Sequence, residues 1–288
     1  MKGRNFMLTS ISAVKEKYKG SLGKEDMRKE IKETVVNEGL DFDFQNNVEL
    51  ARSYLDEVVT AFKGLKLSGC DVIAVLTSRL LTGSASGFLQ LVTEVGMHWD
   101  SVLDLPFVPG SSLKGVMRSY ALELCRKVNE RKRCVESVLK VFGSGDVIDK
   151  EDLEYLKVED LKSQSKVGEI VVSNAYPVEL SEGELFEGDI VNPHYYSNGR
   201  VVKSEWQVVP NPITSLSVKR GVKFRFIIGM KPTEEAKWYS KTVFNYDLKK
   251  PAELAFLLLT YSLSRGIGSR TSKGYGRADI EVSRVKLW

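Results

Sequence analysis

Histidine is nearly absent from this 288-residue sequence, with only His98 and His194 present. That scarcity limits acid–base chemistry, and neither histidine has a second ligand at zinc spacing, so no metal site is expected. Cysteine is also scarce. Cys70, Cys125 and Cys134 make an odd number without C-x-x-C spacing, which argues against a disulfide framework and casts them as core fillers. Long hydrophobic runs are missing: the longest, residues 254–263, contains Thr260 and Ser262 and falls short of the roughly 18 apolar residues of a membrane span. Thr9, Ser10 and Ser12 interrupt the apolar character of residues 1–15, which do not read as a secretory signal, so a cytoplasmic location without membrane contact is expected. No Walker loop exists and G-x-G-x-x-G fails at Thr271, so no nucleotide cofactor is expected.

What is present suffices for an ordinary core. A chain that is 42% hydrophobic and 28% charged folds as one or two domains and is not a disordered tail. The net charge of +4 diagnoses nothing by itself. Its distribution is informative: residues 262–288 hold six basic side chains against two acidic ones, and the rest of the chain is balanced.

Residues 24–37 and 47–62 read as helices, the second with Ala51, Tyr54, Leu55, Val58 and Phe62 on one stripe. The β-branched run 70–76 has the length of a strand buried on both faces. A glycine-rich bend over 82–87 leads to a second strand at 88–95, forming a hairpin. Residues 111–129 form a helix with Ser111 or Ser112 as its N-cap, and a shorter helix follows to Gly143. Residues 149–165 are charged and partly helical. Strands are expected at 170–173, 185–191, 201–209, 222–228 and 278–285, and a helix runs from Pro251 to Gly266. The strongest elements read β-α-β-β-α-β. This is an α+β fold, a modified ferredoxin-like and RRM-like sheet with insertions and a helical N-terminal segment. The expected division is residues 1–64 for that segment and 65–288 for an RNA-binding domain.

Residues 265–277 carry the most chemistry. Gly266, Gly268, Gly274 and Gly276 let the backbone fold tightly and expose N–H donors to an anion. Arg265, Arg270, Lys273 and Arg277 supply charge, Thr271 and two serines supply hydroxyls, and Tyr275 offers a ring to a base. The composition suits a phosphate backbone; the plainer reading is a solvated turn. A second phosphate seat is formed by a helix start with Ser111, Ser112, Lys114 and Arg118. Asn192, His194, Tyr195 and Tyr196 crowd a turn, either as a packed structural element or as a contact for RNA or another subunit. Asp100 and Asp104 are read first as solvated or capping acids and second as catalysts. The basic run at 126–133 is read as a solvated face.

The segment Phe107-Val108-Pro109-Gly110-Ser111-Ser112-Leu113-Lys114-Gly115-Val116-Met117-Arg118, with the glycine loop 266–276, resembles the repeat-associated mysterious protein (RAMP) superfamily of CRISPR systems. Within it, Asp189-Ile190-Val191-Asn192-Pro193-His194-Tyr195-Tyr196 is similar to a motif of the sixth-subunit branch of Cmr complexes, the type III-B effectors. The resemblance implies a non-catalytic structural subunit that holds the 3′ part of a CRISPR RNA and meets target RNA through that guide. It also implies contacts with backbone, capping and small Cmr subunits, with the N-terminal segment as a packing element. Ser111, Ser112, Lys114, Arg118, Gly266, Gly268, Arg270, Lys273 and Tyr275 are the positions it marks. Related backbone subunits cut RNA with an aspartate after the first strand. The bend 82–87 has no acid, which favours scaffolding and leaves Asp104 open. The alternatives are a RAMP endoribonuclease using His98 or His194 as general base, and a single-stranded RNA-binding module outside CRISPR.

Overall fold

The computed structural model describes residues 5–17, 24–83, 97–144, 154, 156, 158, 166–191, 196–197, 200–201 and 213–288. Three helices come first: α1 (Phe6–Lys17), α2 (Lys24–Asp41) and α3 (Gln45–Gly64). Periodicity alone misses α1, because its serines and a threonine dilute the apolar face. Long-range contacts hold it instead. Phe6 is fully buried among Phe42, Phe44, Trp99 and Phe186, worth about 2–3 kcal/mol of apolar burial. The Phe6 N–H donates to the Asp104 carboxylate, an N-terminal cap supplied from elsewhere in the chain.

The remaining principal elements are β1 (Ser68–Leu76), α4 (Gly110–Cys125), α5 (Arg131–Phe142), β2 (Ile170–Val172), β3 (Tyr176–Glu179), β4 (Phe186–Val191), β5 (Ile213–Val218), β6 (Lys223–Met230), α6 (Glu234–Phe244), α7 (Ala252–Arg265), β7 (Ala278–Ile280) and β8 (Lys286–Leu287). The sheet runs β7-β1-β6-β2 with every neighbouring pair antiparallel. Counting the four strands of the β-α-β-β-α-β pattern, this is order 4-1-3-2, so the modified ferredoxin-like α+β fold is present, with α4 and α7 in its crossovers. The β4–β5 hairpin is an insertion between the second and third of those strands.

The register Cys70↔Ile228, Val72↔Phe226 and Ala74↔Phe224 puts one apolar face toward α7. The other face carries Asp71 and Arg225, and α3 covers it. Arg225 forks onto Asp71 with two 2.9 Å hydrogen bonds and reaches Asp56 of α3 at 2.8 Å. RRM domains stack bases on this kind of sheet face. Here it is closed, so the RRM likeness extends to topology and not to the binding surface. Phe6, Val35, Phe44 and Val48 of the N-terminal helices belong to the same core as Val72 and Phe226.

Three expectations need correction. The strand expected over 278–285 is broken: β7 ends at Ile280, a 3-10 turn (Val282–Arg284) follows, and β8 resumes pairing with β1 three residues out of the earlier register. Glu281 at the break turns its carboxylate to Lys223 at 2.7 Å. Cys125 and Cys134 are joined in a disulfide across the α4–α5 turn, with Cα atoms 5.5 Å apart, and only Cys70 is a free buried core cysteine. The two helices double back there, so a pair nine residues apart meets without C-x-x-C spacing. The helix N-cap is Pro109, with Ser111 and Ser112 inside the first turn of α4, so neither serine caps it. The expected strand at 88–95 lies outside the described residues, as do nearly all of 149–165 and of the strand at 201–209. Among the described residues, no helix is long and apolar enough to cross a membrane.

Candidate nucleic-acid interface

The glycine loop begins where α7 stops, at Gly266, and closes on itself before entering β7. The Ile267 N–H donates to Gly276 O at 2.9 Å, the Ser269 N–H to Leu81 O at 2.9 Å, and the Gly276 N–H to Arg79 O at 2.8 Å. Gly276 has φ +70, and a Cβ there would lie 1.9 Å from Ile267 O, so only glycine fits. A 3-10 turn (Thr271–Lys273) forms the tip. The expected display of loop amides to an anion is therefore corrected at these positions: their N–H groups shape the loop. What faces outward is charge. Arg270, Lys273 and Arg277 are exposed and make no ion pair or side-chain hydrogen bond among the described residues.

Asp189 locks this loop to the rest of the fold. Its carboxylate accepts from Arg79 Nη1 at 2.7 Å, from the Tyr275 hydroxyl at 2.8 Å and from its own strand's Ile190 N–H at 2.9 Å. Its side chain is only 3% exposed. Burial, then the bond to Asp189, raises the Tyr275 pKa, so the hydroxyl stays a donor. Arg79 also reaches Glu187 at 3.2 Å. This clamp connects the glycine loop, the segment after β1 and the start of the 189–196 motif. Sequence reading missed it; the one available signal was an acid inside the apolar strand β4. Arg265 sits differently from the other loop cations: it pairs with Glu123 at 2.5 Å and lies over the Tyr120 ring at 4.7 Å.

The helix start is a close backbone contact. A Cβ at Gly110 would lie 2.2 Å from Val172 O, and the Gly110 N–H donates to Asn174 Oδ1 at 3.0 Å. The Ser112 N–H turns back to Pro109 O. Lys114 does not face a solvent seat: its ammonium donates to Ile170 O at 2.9 Å, and burial lowers its pKa. Arg118 is half-buried, and its Nε is buried without a partner among the described residues. Ser111 remains exposed. A short chain of contacts links the two segments: the His98 N–H donates to Thr82 Oγ1 at 2.9 Å, beside the loop's anchor at Leu81, and the Phe107 N–H donates to His98 O at 3.0 Å.

The acidic candidates are structural in their contacts. Asp104 accepts from Phe6 and from Trp99 Nε1 at 3.1 Å, and burial raises its pKa. Asp100 accepts from the Val102 and Leu103 N–H groups and from the Tyr176 hydroxyl. His98 packs against Phe107, and burial lowers its pKa. Asn192, His194 and Tyr195 lie outside the described residues, while Tyr196–Ser197 pairs with Arg200–Val201 in a short hairpin.

The chain is similar to known proteins. The chain is 26% identical over 244 residues to the CRISPR system CMR subunit Cmr6 of Saccharolobus solfataricus, covering 85% of this chain and 68% of that protein. It is 29% identical over 241 residues to the CRISPR system Cmr subunit Cmr6 of Pyrococcus furiosus, covering 69% of this chain and 64% of that protein. The chain thus spans about two thirds of the length of these relatives. A chain of the cryo-EM structure of the type III-B Cmr-beta bound to cognate target RNA superposes with a TM-score of 0.61 at 25% identity, covering 91% of this chain and 73% of that one. The RAMP superfamily profile matches residues 73–279, from the middle of β1 through the clamped glycine loop into β7, and by that match this chain belongs to the RAMP superfamily.

Proposed function

We propose that this chain is a Cmr6-like subunit of a type III-B CRISPR effector, acting in the cytoplasm as a non-catalytic holder of the 3′ part of the CRISPR RNA. The observation that carries the RNA-binding part is the clamped glycine loop with its three exposed cations, Arg270, Lys273 and Arg277, which pair with no acid among the described residues. A phosphodiester strand needs positive charge held in a fixed outline, and Asp189 supplies the fixing without touching the ligand. The exposed Ser111 and the half-buried Ser112 add hydroxyl donors at the helix start. Lys114 acts from within by holding α4 against β2 through Ile170 O. Target RNA is read by pairing with the guide, so base-specific contacts from this chain are not required.

The relatives are named as Cmr subunits, and the superposed chain comes from a complex bound to target RNA; both support a role in assembly with other Cmr subunits. The non-catalytic reading is supported by Asp100 and Asp104, whose carboxylate oxygens are engaged by internal donors. Exchange of Arg270 and Lys273 for serine is expected to flatten the salt dependence of RNA binding by roughly 0.7 log units per lost phosphate contact. An unchanged slope refutes the loop assignment. Incubation with labelled repeat RNA is expected to give binding without cleavage, and cleavage abolished by His98→Ala or Asp104→Asn would overturn the non-catalytic reading.

A further inference from the structure

The turn after α4 and the first turn of α5 hold five cations that the glycine loop does not use: Arg126, Lys127, Arg131, Lys132 and Arg133. The Cys125–Cys134 disulfide closes this turn at its base. A cavity of about 260 Å³ opens there, lined by Glu123, Arg126, Lys127 and Arg131. Its single acid, Glu123, is already paired with Arg265, so the lining presents net positive charge. Lys127, Arg131 and Lys132 make no ion pair among the described residues.

The cavity sits beside a rigid aromatic ladder. Tyr120 stacks on Tyr261 with ring centroids 5.5 Å apart and planes 18° apart, and Tyr261 stacks on Phe244 at 6.0 Å and 11°. Arg265 caps the ladder over Tyr120. Arg265 is also the residue immediately before Gly266, so the ladder joins the basic turn to the root of the glycine loop. The Glu123–Arg265 pair, neutral in sum, therefore lies between the cationic lining at Lys127 and Arg131 and the root of the loop that carries Arg270 and Lys273. An isolated pocket fits any small anion; two cationic sites bridged by one ion pair fit a polymer that carries several charges.

We propose that the disulfide-closed turn is a second phosphate-binding site, where Lys127 and Arg131 hold the backbone of the same single-stranded RNA beyond the glycine loop. The inference rests on the RNA-binding reading above and extends its footprint across the helical side of the fold. The disulfide and the α4–α5 packing fix the backbone of the turn, so the ordering cost on binding falls on the cationic side chains alone. No base specificity is assigned, because the lining offers charge and not a hydrogen-bonding edge.

The test uses the full chain, a fluorescently labelled single-stranded oligouridine and fluorescence anisotropy across a salt series. The double variant Lys127→Ser/Arg131→Ser is expected to lower the log–log salt slope by about 1.4, as for two lost contacts on a single strand. The Arg270→Ser/Lys273→Ser pair is expected to lower it by a similar amount, and the quadruple variant by about the sum. Lys127→Arg is expected to keep the slope. An unchanged slope in the Lys127/Arg131 variant, with a lowered one in the Arg270/Lys273 variant, overturns the second site and leaves the loop reading standing. Unchanged slopes in both overturn the loop reading itself. Polyglutamate is the competitor control: a Lys127/Arg131 variant that loses polyglutamate binding more than oligouridine binding assigns the turn to an acidic protein and overturns the proposal. Lys127→Gln/Arg131→Gln repeats the measurement in a second background, with an unchanged thermal midpoint as the folding check.

Discussion

Replacing Asp189 by alanine removes the clamp on the glycine loop without touching the outward cations. The carboxylate accepts from the Arg79 guanidinium and the Tyr275 hydroxyl at 2.7 and 2.8 Å. Hydrogen bonds to charged groups contribute about 1.5–3 kcal/mol each when buried. The Arg79 side chain is 41% exposed, so water recovers part of its share. The expected loss is about 2–3 kcal/mol, or roughly 3–5 °C in thermal midpoint for a chain of this size. Tyr275→Phe removes one of the two bonds and keeps the ring, and is expected to cost about 1 kcal/mol. A double-mutant cycle between the two positions is expected to give a coupling of about 0.5–3 kcal/mol. Amide hydrogen exchange provides the local readout: protection at Ser269 and Gly276, whose N–H groups hold the loop, falls in Asp189→Ala while the central strands stay protected. Independent, additive effects at positions 189 and 275, with exchange at Ser269 and Gly276 unchanged, would refute the clamp.

Further outcomes are expected elsewhere. Gly276→Ala meets Ile267 O at positive φ and should cost about 3 kcal/mol or more, measured by denaturant unfolding. Cys134→Ser opens the closed turn and should lower stability by about 2.5–3 kcal/mol on loop-entropy grounds, an effect that vanishes when parent and variant are compared under full reduction. Burial pushes the Glu179 pKa up, but hydrogen bonds from Lys223 and Arg284 outweigh it and hold the group below its ordinary value. Its stabilising contribution is present above the ordinary glutamate value of about 4.3 and fades as pH falls through the lower folded value. Glu179→Gln is therefore expected to be less stable than the parent at neutral pH, with the difference closing below about pH 4. A difference independent of pH contradicts that linkage.

Much of the sheet was legible because its strands satisfy local rules. The β1 run and the alternation of Phe224, Phe226 and Ile228 in β6 are carried by residues adjacent in sequence. The α3 stripe was equally plain, and its burial at Ala51 and Leu55 follows from it. Helix α6 was overlooked although it carries a start signal: Thr233 accepts from the Ala236 N–H at 3.2 Å, with Glu234 and Glu235 in the first turn. Helix α1 has a local start signal in Asn5, whose Oδ1 accepts from the Leu8 N–H at 3.0 Å, but its apolar spacing is diluted and its first N–H is held by an aspartate 98 positions away. The Asp189 clamp offered only an acid within β4 as a local signal, because its partners lie 110 and 86 positions away. Sequence reading counted four loop cations, of which Arg270, Lys273 and Arg277 are exposed and Arg265 is paired with Glu123, and it assigned an anion-facing role to backbone amides as well. Three of those amides are consumed by carbonyls of the loop and of the segment after β1, a pairing that only tertiary structure defines.

Photo-crosslinking of a thiouridine-substituted CRISPR RNA in the assembled complex, followed by mass spectrometry of this chain's peptides, tests the RNA-holding role most directly. Crosslinks are expected in the peptides spanning residues 266–277. They are not expected on the sheet face that α3 closes over Arg225 and Asp71. Crosslinks confined to other peptides, with residues 266–277 unlabelled, would contradict the account.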